Sequence, residues 1–316
     1  MSTGTRTAVG PVLGYRHEAF LWQGIDAFLA RTVPFVSEGL AAGEPVMVAV
    51  IQDHWAPLRD ALGADAARVR FVDMAELGHN PARIIPAWRD FVESAGGRPV
   101  RGIGEPIWVG RRPAEIVECQ VHEALLNLAL PPDAPLWLLC PYDADGLDEH
   151  VIDEAMRSHP TLVRAGGTHP STDYGGAQHV EHLAGRDLPA PTGPVQTVAF
   201  GRGELAALRR AVRARARGVG LADGDVDDLT LALNELAANS LDHGGGNGVL
   251  RMWTEPGTFV CEIADTGRIT DPLIGRTCPP SDQLRGRGVW MVHQLCDLVQ
   301  IRSTSSGTVV RVHSWL

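Results

Sequence analysis

Strand-like runs alternate with helix-length segments through the first half of the chain, and this alternation restricts the fold more than any other feature. The runs are PVMVAVI (45–51), RVRFVDM (68–74), RPVRGIGEPI (98–107) and PLWLLCPYD (135–143). Helices are expected near Glu18–Gly43, His54–Leu62, Pro81–Ser94, Pro113–Leu130 and Asp148–His159, with Pro81 suited to a first helical turn. Apolar runs without an in–out alternation belong to strands buried on both faces. A parallel sheet covered by helices on each side satisfies that pattern. Residues 14–164 are therefore expected to form one α/β domain.

The texture changes at residue 165. Glycine, proline and small polar residues dominate to Pro194, which reads as a flexible linker over 165–194 with one helical turn at Gln178–Leu183. From Val195 the order is different. A strand VQTVAF precedes helices near Glu204–Arg217 and Asp225–His243. Strands GVLRMWT and TFVCEIAD follow, joined by the turn EPG. After an irregular stretch, 266–287, come a helix near Val289–Leu295 and strands LVQIRS and TVVRVHSW. Helices followed by mostly antiparallel strands indicate an α+β sandwich over 195–316.

Composition excludes several chemistries. The 28 basic residues are all arginine, so neither the lysine of a Walker-A loop nor a Schiff base is available. A bound nucleotide must be held by backbone amides, a metal and arginines. The net charge of −10 argues against direct nucleic-acid binding or an anionic membrane surface. No apolar run is long enough to span a bilayer and no secretory signal opens the chain, so a cytoplasmic location is expected. The cysteines Cys119, Cys140, Cys261, Cys278 and Cys296 form no C-x-x-C pair and are expected as reduced thiols. Cys119 and His122 are spaced C-x-x-H on a helix, and His17, His54, His79 and His159 are also available. A core cysteine and surface histidines are the simpler reading.

The helix near Asp225–His243 carries a core stripe of Val226, Leu229, Leu233, Leu236, Ala237 and Ser240. Glu235, Asn239 and Asp242 point away from it, with Glu235 and Asn239 adjacent at i, i+4. Alone, this is a solvated helix face. Two later features add to it. Asp265 ends an apolar strand in IADTG, where it can accept from an exocyclic amine while Gly267 admits a flat base. Gly286 and Gly288, in GRGVWMV, precede a helix whose free amides can hold an anion.

These blocks resemble the N, G1 and G2 boxes of the Bergerat-fold ATPases, the superfamily of gyrase, heat-shock chaperones, histidine kinases and mismatch-repair proteins. Within it they are most similar to the anti-sigma factor serine kinases, through ELAANSLDH, DTG and GRGVWMV. The resemblance implies a two-layer Bergerat sandwich that binds ATP and Mg²⁺. Asn239 would ligate the metal. Asp265 would accept from adenine, with Gly267 beneath the ring. Gly286 and Gly288 would give amides to the phosphates, and Arg285 or Arg287 would stabilise transferred charge. Glu235 would be the general base toward a partner's serine, and Thr308 resembles the late threonine near adenine. His243 sits at the third helix position of the motif. One departure is Ile269 in place of a second glycine, followed by a short lid over 270–284 with Pro279-Pro280.

The first half resembles the MEDS sensory domain, through PFVSEGLAAGEPVMVAV, HEALLNLAL and LLCPYDADGLDE. That resemblance implies a three-layer RecA-like module. The combined expectation is a signalling regulator in which a sensory domain controls an anti-sigma factor that is also a serine kinase. Its partners would be a sigma factor and/or an anti-anti-sigma (STAS) protein, and a homodimer is allowed. Two alternatives stand beside it: a sensor histidine kinase using His179 or His182, and an ATP-dependent sigma-factor clamp without kinase activity.

Overall fold

The computed structural model describes residues 14–164, 166–279 and 286–316. The elements open with β1 (Arg16–Trp22), α1 (Ile25–Ala41), β2 (Val46–Val50), α2 (Gln52–Leu62), β3 (Arg70–Asp73), α3 (Met74–Leu77) and α4 (Ile84–Ser94). Next are β4 (Val100–Gly104), α5 (Pro113–Ala129), β5 (Leu136–Asp143), α6 (Glu149–Ser158), β6 (Thr161–Arg164), β7 (Gly167–Pro170) and α7 (Gly176–Ala184). The remainder comprises β8 (Gln196–Gly201), α8 (Leu205–Gly218), α9 (Asp223–His243), β9 (Asn247–Glu255), β10 (Thr258–Asp265), α10 (Gly288–Leu295), β11 (Leu298–Thr304) and β12 (Gly307–Trp315). None of the helices among the described residues is long and apolar enough to cross a membrane.

The architecture is two-domain α/β, with one mixed and one antiparallel sheet. The first sheet has the order β3-β2-β4-β5-β1-β6-β7; all its pairs are parallel except β6–β7. The strands β2 and β4 are buried along their whole length, as the apolar runs require. Several elements depart from the sequence expectation. Residues Arg16–Trp22 form a central strand where a helix from Glu18 was expected. The local sequence RHEAFLW is rich in helix formers, but pairing with β5 on one side and β6 on the other outweighs that preference. Gly24, at φ 73°, then turns the chain into α1, a conformation open to glycine at little cost. The stretch 165–194 holds strand β7 and a nine-residue helix, α7, whose His179, Val180 and Leu183 are buried.

By compactness the chain divides into two units, and the division is not a single cut. The first unit takes the chain up to Met74, Trp88–Val109 and Leu130–Tyr174. The second takes Ala75–Ala87, Gly110–Ala129 and Gly175–Leu316. In the first unit, Phe28, Phe35 and Val36 of α1 join Val46, Val48 and Val50 of β2 with Ile103 and Leu139 in one core. At the carboxyl end of its parallel strands, buried Glu105 accepts from the Ile51 amide at 3.2 Å and lies 2.7 Å from Nδ1 of His54.

Burial alone would push the His54 imidazole down. The hydrogen bond and charge of Glu105, with Asp143 and Asp53, outweigh it and hold His54 above its ordinary 6.5. Burial likewise holds the Glu105 carboxyl above its ordinary value, against the pull of His54. A group raised on folding stabilises fully below its unfolded value and ceases to as pH rises through the folded one. The stability contributed by His54 is therefore expected to be complete below 6.5 and to be lost above it. In Glu105→Gln the burial penalty stays and the compensating charge goes, so the His54 midpoint should drop below that of the wild type. An NMR titration of the His54 ring protons reads this directly, and an unchanged midpoint would disprove the pairing.

The second unit is built on a five-stranded antiparallel sheet, β11-β12-β10-β9-β8. Helices α8, α9 and α10 share one core with it: Leu208, Val212, Leu229, Leu233 and Val292 meet Met252, Phe259, Cys261, Ile263 and Val312. Strand side chains alternate between faces, so Glu262 lies on the side opposite Cys261 and Ile263. There a polar row crosses the strands, Arg251–Glu262–Arg311–Gln300, each residue in register with the next. Glu262, 1% exposed, accepts from Arg311 at 2.7 and 2.9 Å and also from Arg251.

Helix α5 supplies a second buried carboxylate to this unit. Glu118, 1% exposed, accepts from Arg302 at 2.7 Å, Arg276 at 3.3 Å and Gln300 at 3.4 Å. Arg112 lies over the Trp315 ring at 4.1 Å. The segment 75–87 holds the other end of α10. Asn80 and Arg83 donate to the carbonyls of His293, Gln294 and Cys296, the acceptors a helix leaves open at its C-terminus. Glu118→Ala strands two buried arginines without their shared acceptor. The expected destabilisation is about 3–5 kcal/mol, the usual consequence of breaking a buried ion pair from one side. Urea denaturation of wild type and variant measures it; a midpoint unchanged at constant slope would exclude a structural role for the cluster.

Candidate functional site

Helix α9 places the first group of candidates. Val226, Leu229, Leu233, Leu236, Ala237 and Ser240 are all buried, as the helical period predicts. Glu235 and Asn239 lie beside this stripe and are half-buried, whereas Asp242 and His243 are exposed. The helix stops at Gly244, and Gly245 and Gly246 continue at φ 92° and 88° into β9.

The start of α10 comes against this face. A Cβ built on Gly288 would lie 3.3 Å from Oε2 of Glu235 and 3.5 Å from Nδ2 of Asn239. The glycine thus lets the helix start approach both side chains. Arg287 is the N-cap residue and gives α10 no side-chain cap hydrogen bond. The first-turn amides, with the positive end of the helix dipole, are the groups a phosphate would use. Gly286, at φ 84°, and Arg287 are exposed before them. Arg285 and residues 280–284 of the expected lid lie outside the described residues.

Asp265, Gly267 and Thr308 form the second group. Asp265 ends β10, opposite Thr308 of β12 in register. Its carboxylate accepts from the Ser240 hydroxyl at 2.5 Å and from the Gly267 amide at 2.8 Å. An ionised carboxylate has about four lone-pair directions, so acceptor capacity remains for an amine. Thr308 is buried and donates to the Gly267 carbonyl at 2.9 Å, with Ser303 at 2.8 Å on its hydroxyl. It acts on the site through Gly267. Gly267 also has a packing reason to be glycine, because a Cβ there would lie 2.7 Å from the carbonyl oxygen of His243.

The two groups meet through one hydroxyl. Ser240 follows Asn239 in sequence and holds Asp265, so α9 carries Glu235 and Asn239 along one side and anchors the strand-end carboxylate with the next residue. Sequence reasoning placed Ser240 in the core stripe and missed this bond; a serine among apolar stripe positions was the available signal. Ser303 was missed as well. Its hydroxyl accepts from the Ile269 amide at 2.8 Å and so fixes the backbone at Ile269, where the sequence resemblance led to the expectation of a second glycine. Gly244, read as a helix stop, leaves room for the Asp265 carboxylate: a Cβ there would stand 2.6 Å from Oδ2.

The lid is tied to helix α5 at Arg276. This residue lies between β10 and α10, is 6% exposed, and donates to Glu118. Burial pushes its guanidinium below the usual arginine range, against the pull of Glu118. Elsewhere the surface reading of the histidines is corrected: His17, His122 and His159 are all buried. The five cysteines are reduced thiols, four of them buried and Cys278 exposed.

Residues 16–160 match the family model described as MEDS, the MEthanogen/methylotroph, DcmR Sensory domain. Residues 202–313 match the Histidine kinase-like ATPase domain. No curated protein matches the chain. Among solved structures, it is similar to the RsbU and RsbW domains of Rv1364c from Mycobacterium tuberculosis, at 17% identity over 39% of this chain, with a TM-score of 0.31. The match spans 33% of that chain, well short of its full length. A second is the Acinetobacter baumannii histidine kinase AdeS, 11% identical over 65% of this chain and 95% of that one, with a TM-score of 0.25.

Proposed function

We propose that this chain, a MEDS domain followed by a histidine kinase-like ATPase domain, is a signalling regulator that binds ATP with Mg²⁺ and acts as an anti-sigma factor and serine kinase. The observation that carries the proposal is the approach of Gly288 to Glu235 and Asn239, which gathers a candidate base, a candidate metal ligand and helix-start amides that no side chain caps. In this reading Asp265 and Gly267 receive the adenine, with Thr308 and Ser303 bracing Gly267. The metal would neutralise charge on the β- and γ-phosphates, held on the protein side by Asn239. Glu235 takes the proton of a partner's serine hydroxyl. The serine oxygen bonds to the γ-phosphorus as the bond to the ADP oxygen breaks. Gly286, Gly288 and an arginine at 285 or 287 receive the phosphate charge, in a chain with no lysine for that purpose.

The regulatory half of the proposal draws on the interleaved units. Residues 75–87 and 110–129 fall inside the MEDS match, yet pack in the second unit. Through them Asn80 and Arg83 hold the end of α10, and Glu118 holds Arg276 of the lid. A sensory event that shifts either segment would act directly on the proposed phosphate site. A histidine-kinase reading draws less support, since α7, which carries His179 and His182, has nine residues and buries His179. A phosphoacceptor hairpin needs two far longer helices.

The test is incubation with γ-labelled ATP, a STAS-type anti-anti-sigma protein and a sigma factor. Acid-stable label on a serine of the STAS protein is the expected result. ATP-dependent capture of sigma factor without any label would replace the kinase by the clamp, a reading that Ile269 in the glycine position favours. Failure of wild type and Asn239→Ala to differ in ATP affinity would overturn the nucleotide site itself.

A further inference from the structure

We propose that the first unit holds a transition-metal ion, zinc by ligand chemistry, on His17, Cys140 and His159. The three side chains come from three places that the sheet brings together. His17 is on β1 and Cys140 on the adjacent parallel strand β5, with Ala19 opposite Cys140 and His17 opposite Leu138 in register. Residues two apart share a face, so His17 and Cys140 are diagonal neighbours on the same side. His159 directly follows α6 and precedes β6, which pairs with β1 on its other edge. All three are within 1% of complete burial, and a ligand atom from each lies within 4.8 Å of the others.

The sulfur–nitrogen distance is that of a nearly assembled site. Sγ of Cys140 stands 3.4 Å from Nε2 of His17. Sulfur and nitrogen bound tetrahedrally to one zinc, at about 2.3 and 2.0–2.1 Å, are about 3.5 Å apart. The His17 and His159 rings have centroids 4.1 Å apart. Nδ1 of His159 lies 2.8 Å from the Ala155 carbonyl, which can only accept, so Nδ1 bears the proton and Nε2 carries the lone pair. Such a carbonyl-oriented imidazole is the usual support of a metal-binding histidine. Tyr15 stacks on His17, and the Tyr142 ring meets His159 edge-on, so aromatic groups cover both imidazoles.

A thiolate with two imidazoles suits zinc, and cobalt as its spectroscopic substitute. At least one further donor, from the protein or from solution, completes the tetrahedron. On binding, the Cys140 thiol releases its proton to solvent and the thiolate bonds to the metal. The bland alternative is a buried thiol–imidazole hydrogen bond with no metal.

The two are separated by producing the full chain in zinc- or cobalt-supplemented medium and measuring metal content and absorption. A single metal equivalent per chain is expected. The cobalt form should show a thiolate-to-metal charge-transfer band in the near ultraviolet together with tetrahedral d–d bands. Cys140→Ala and His159→Gln should lose the metal, while Cys278→Ser, which alters the exposed thiol, should keep it. If the Cys140 variant does not fold, the cobalt spectrum of the unaltered chain decides alone, because the charge-transfer band requires a thiolate ligand. A metal-free chain, a cobalt form lacking that band, or a band removed only by Cys278→Ser would overturn the proposal. None of these readings depends on ATP or kinase activity.

Discussion

Asp265→Ala is expected to weaken ATP binding by about 30- to 1,000-fold, a change of about 2–4 kcal/mol. Two effects combine. The variant removes the charged acceptor proposed for the adenine amine, and hydrogen bonds to charged groups are among the stronger ones. It also leaves the Ser240 hydroxyl and the Gly267 amide, now held at 2.5 and 2.8 Å, without their shared acceptor. The floor proposed for the base would then be free to shift. Isothermal titration with ATP–Mg²⁺, beside a circular-dichroism check of folding, measures the effect. Affinity within about threefold of wild type in a folded variant would remove Asp265 from the site.

Glu235→Gln is expected to slow serine phosphorylation by about 10²- to 10⁴-fold, the range typical of a lost general base. ATP affinity should change little, because glutamine keeps the size and the contact geometry beside Gly288. That separation identifies the step, since a group acting only in the transition state lowers turnover without weakening the ground-state complex. Single-turnover phosphorylation with saturating nucleotide supplies the rate, and titration of the same variant supplies the affinity. Wild-type rates in Glu235→Gln would move the base elsewhere; a parallel loss of ATP binding would make Glu235 a binding residue.

Much of the second unit was legible because its information is local. The stripe on α9 repeats with the helical period, and each buried residue of it was readable within one helix. The strands β9, β10, β11 and β12 lie within two residues of their expected bounds, since turn-forming glycines and prolines punctuate them. Asp265, at a strand end, and Gly288, at a helix start, carry the same kind of local signal. Other features had no local signal. RHEAFLW favours a helix by composition, and only its two partner strands make it β1. Ser240 fits an apolar stripe until Asp265, 25 residues later, turns out to accept its hydrogen bond. The lid arginine Arg276 and its acceptor Glu118 are 158 residues apart, and no pattern in either neighbourhood points to the other.

The sequence by itself determined the order of elements from Val195 onward, the change from a parallel to an antiparallel sheet, the absence of a lysine-based phosphate loop, and the residue types available for a nucleotide. Periodicity, turn chemistry and composition act over a few residues, so one dimension suffices for them. Tertiary structure alone decided which of those residues meet: Gly288 against Glu235 and Asn239, Ser240 on Asp265, Glu118 under two arginines, and His17, Cys140 and His159 in one buried cluster. Each of these depends on strand register and helix packing, which close distances of tens of residues and leave no periodic trace in the chain.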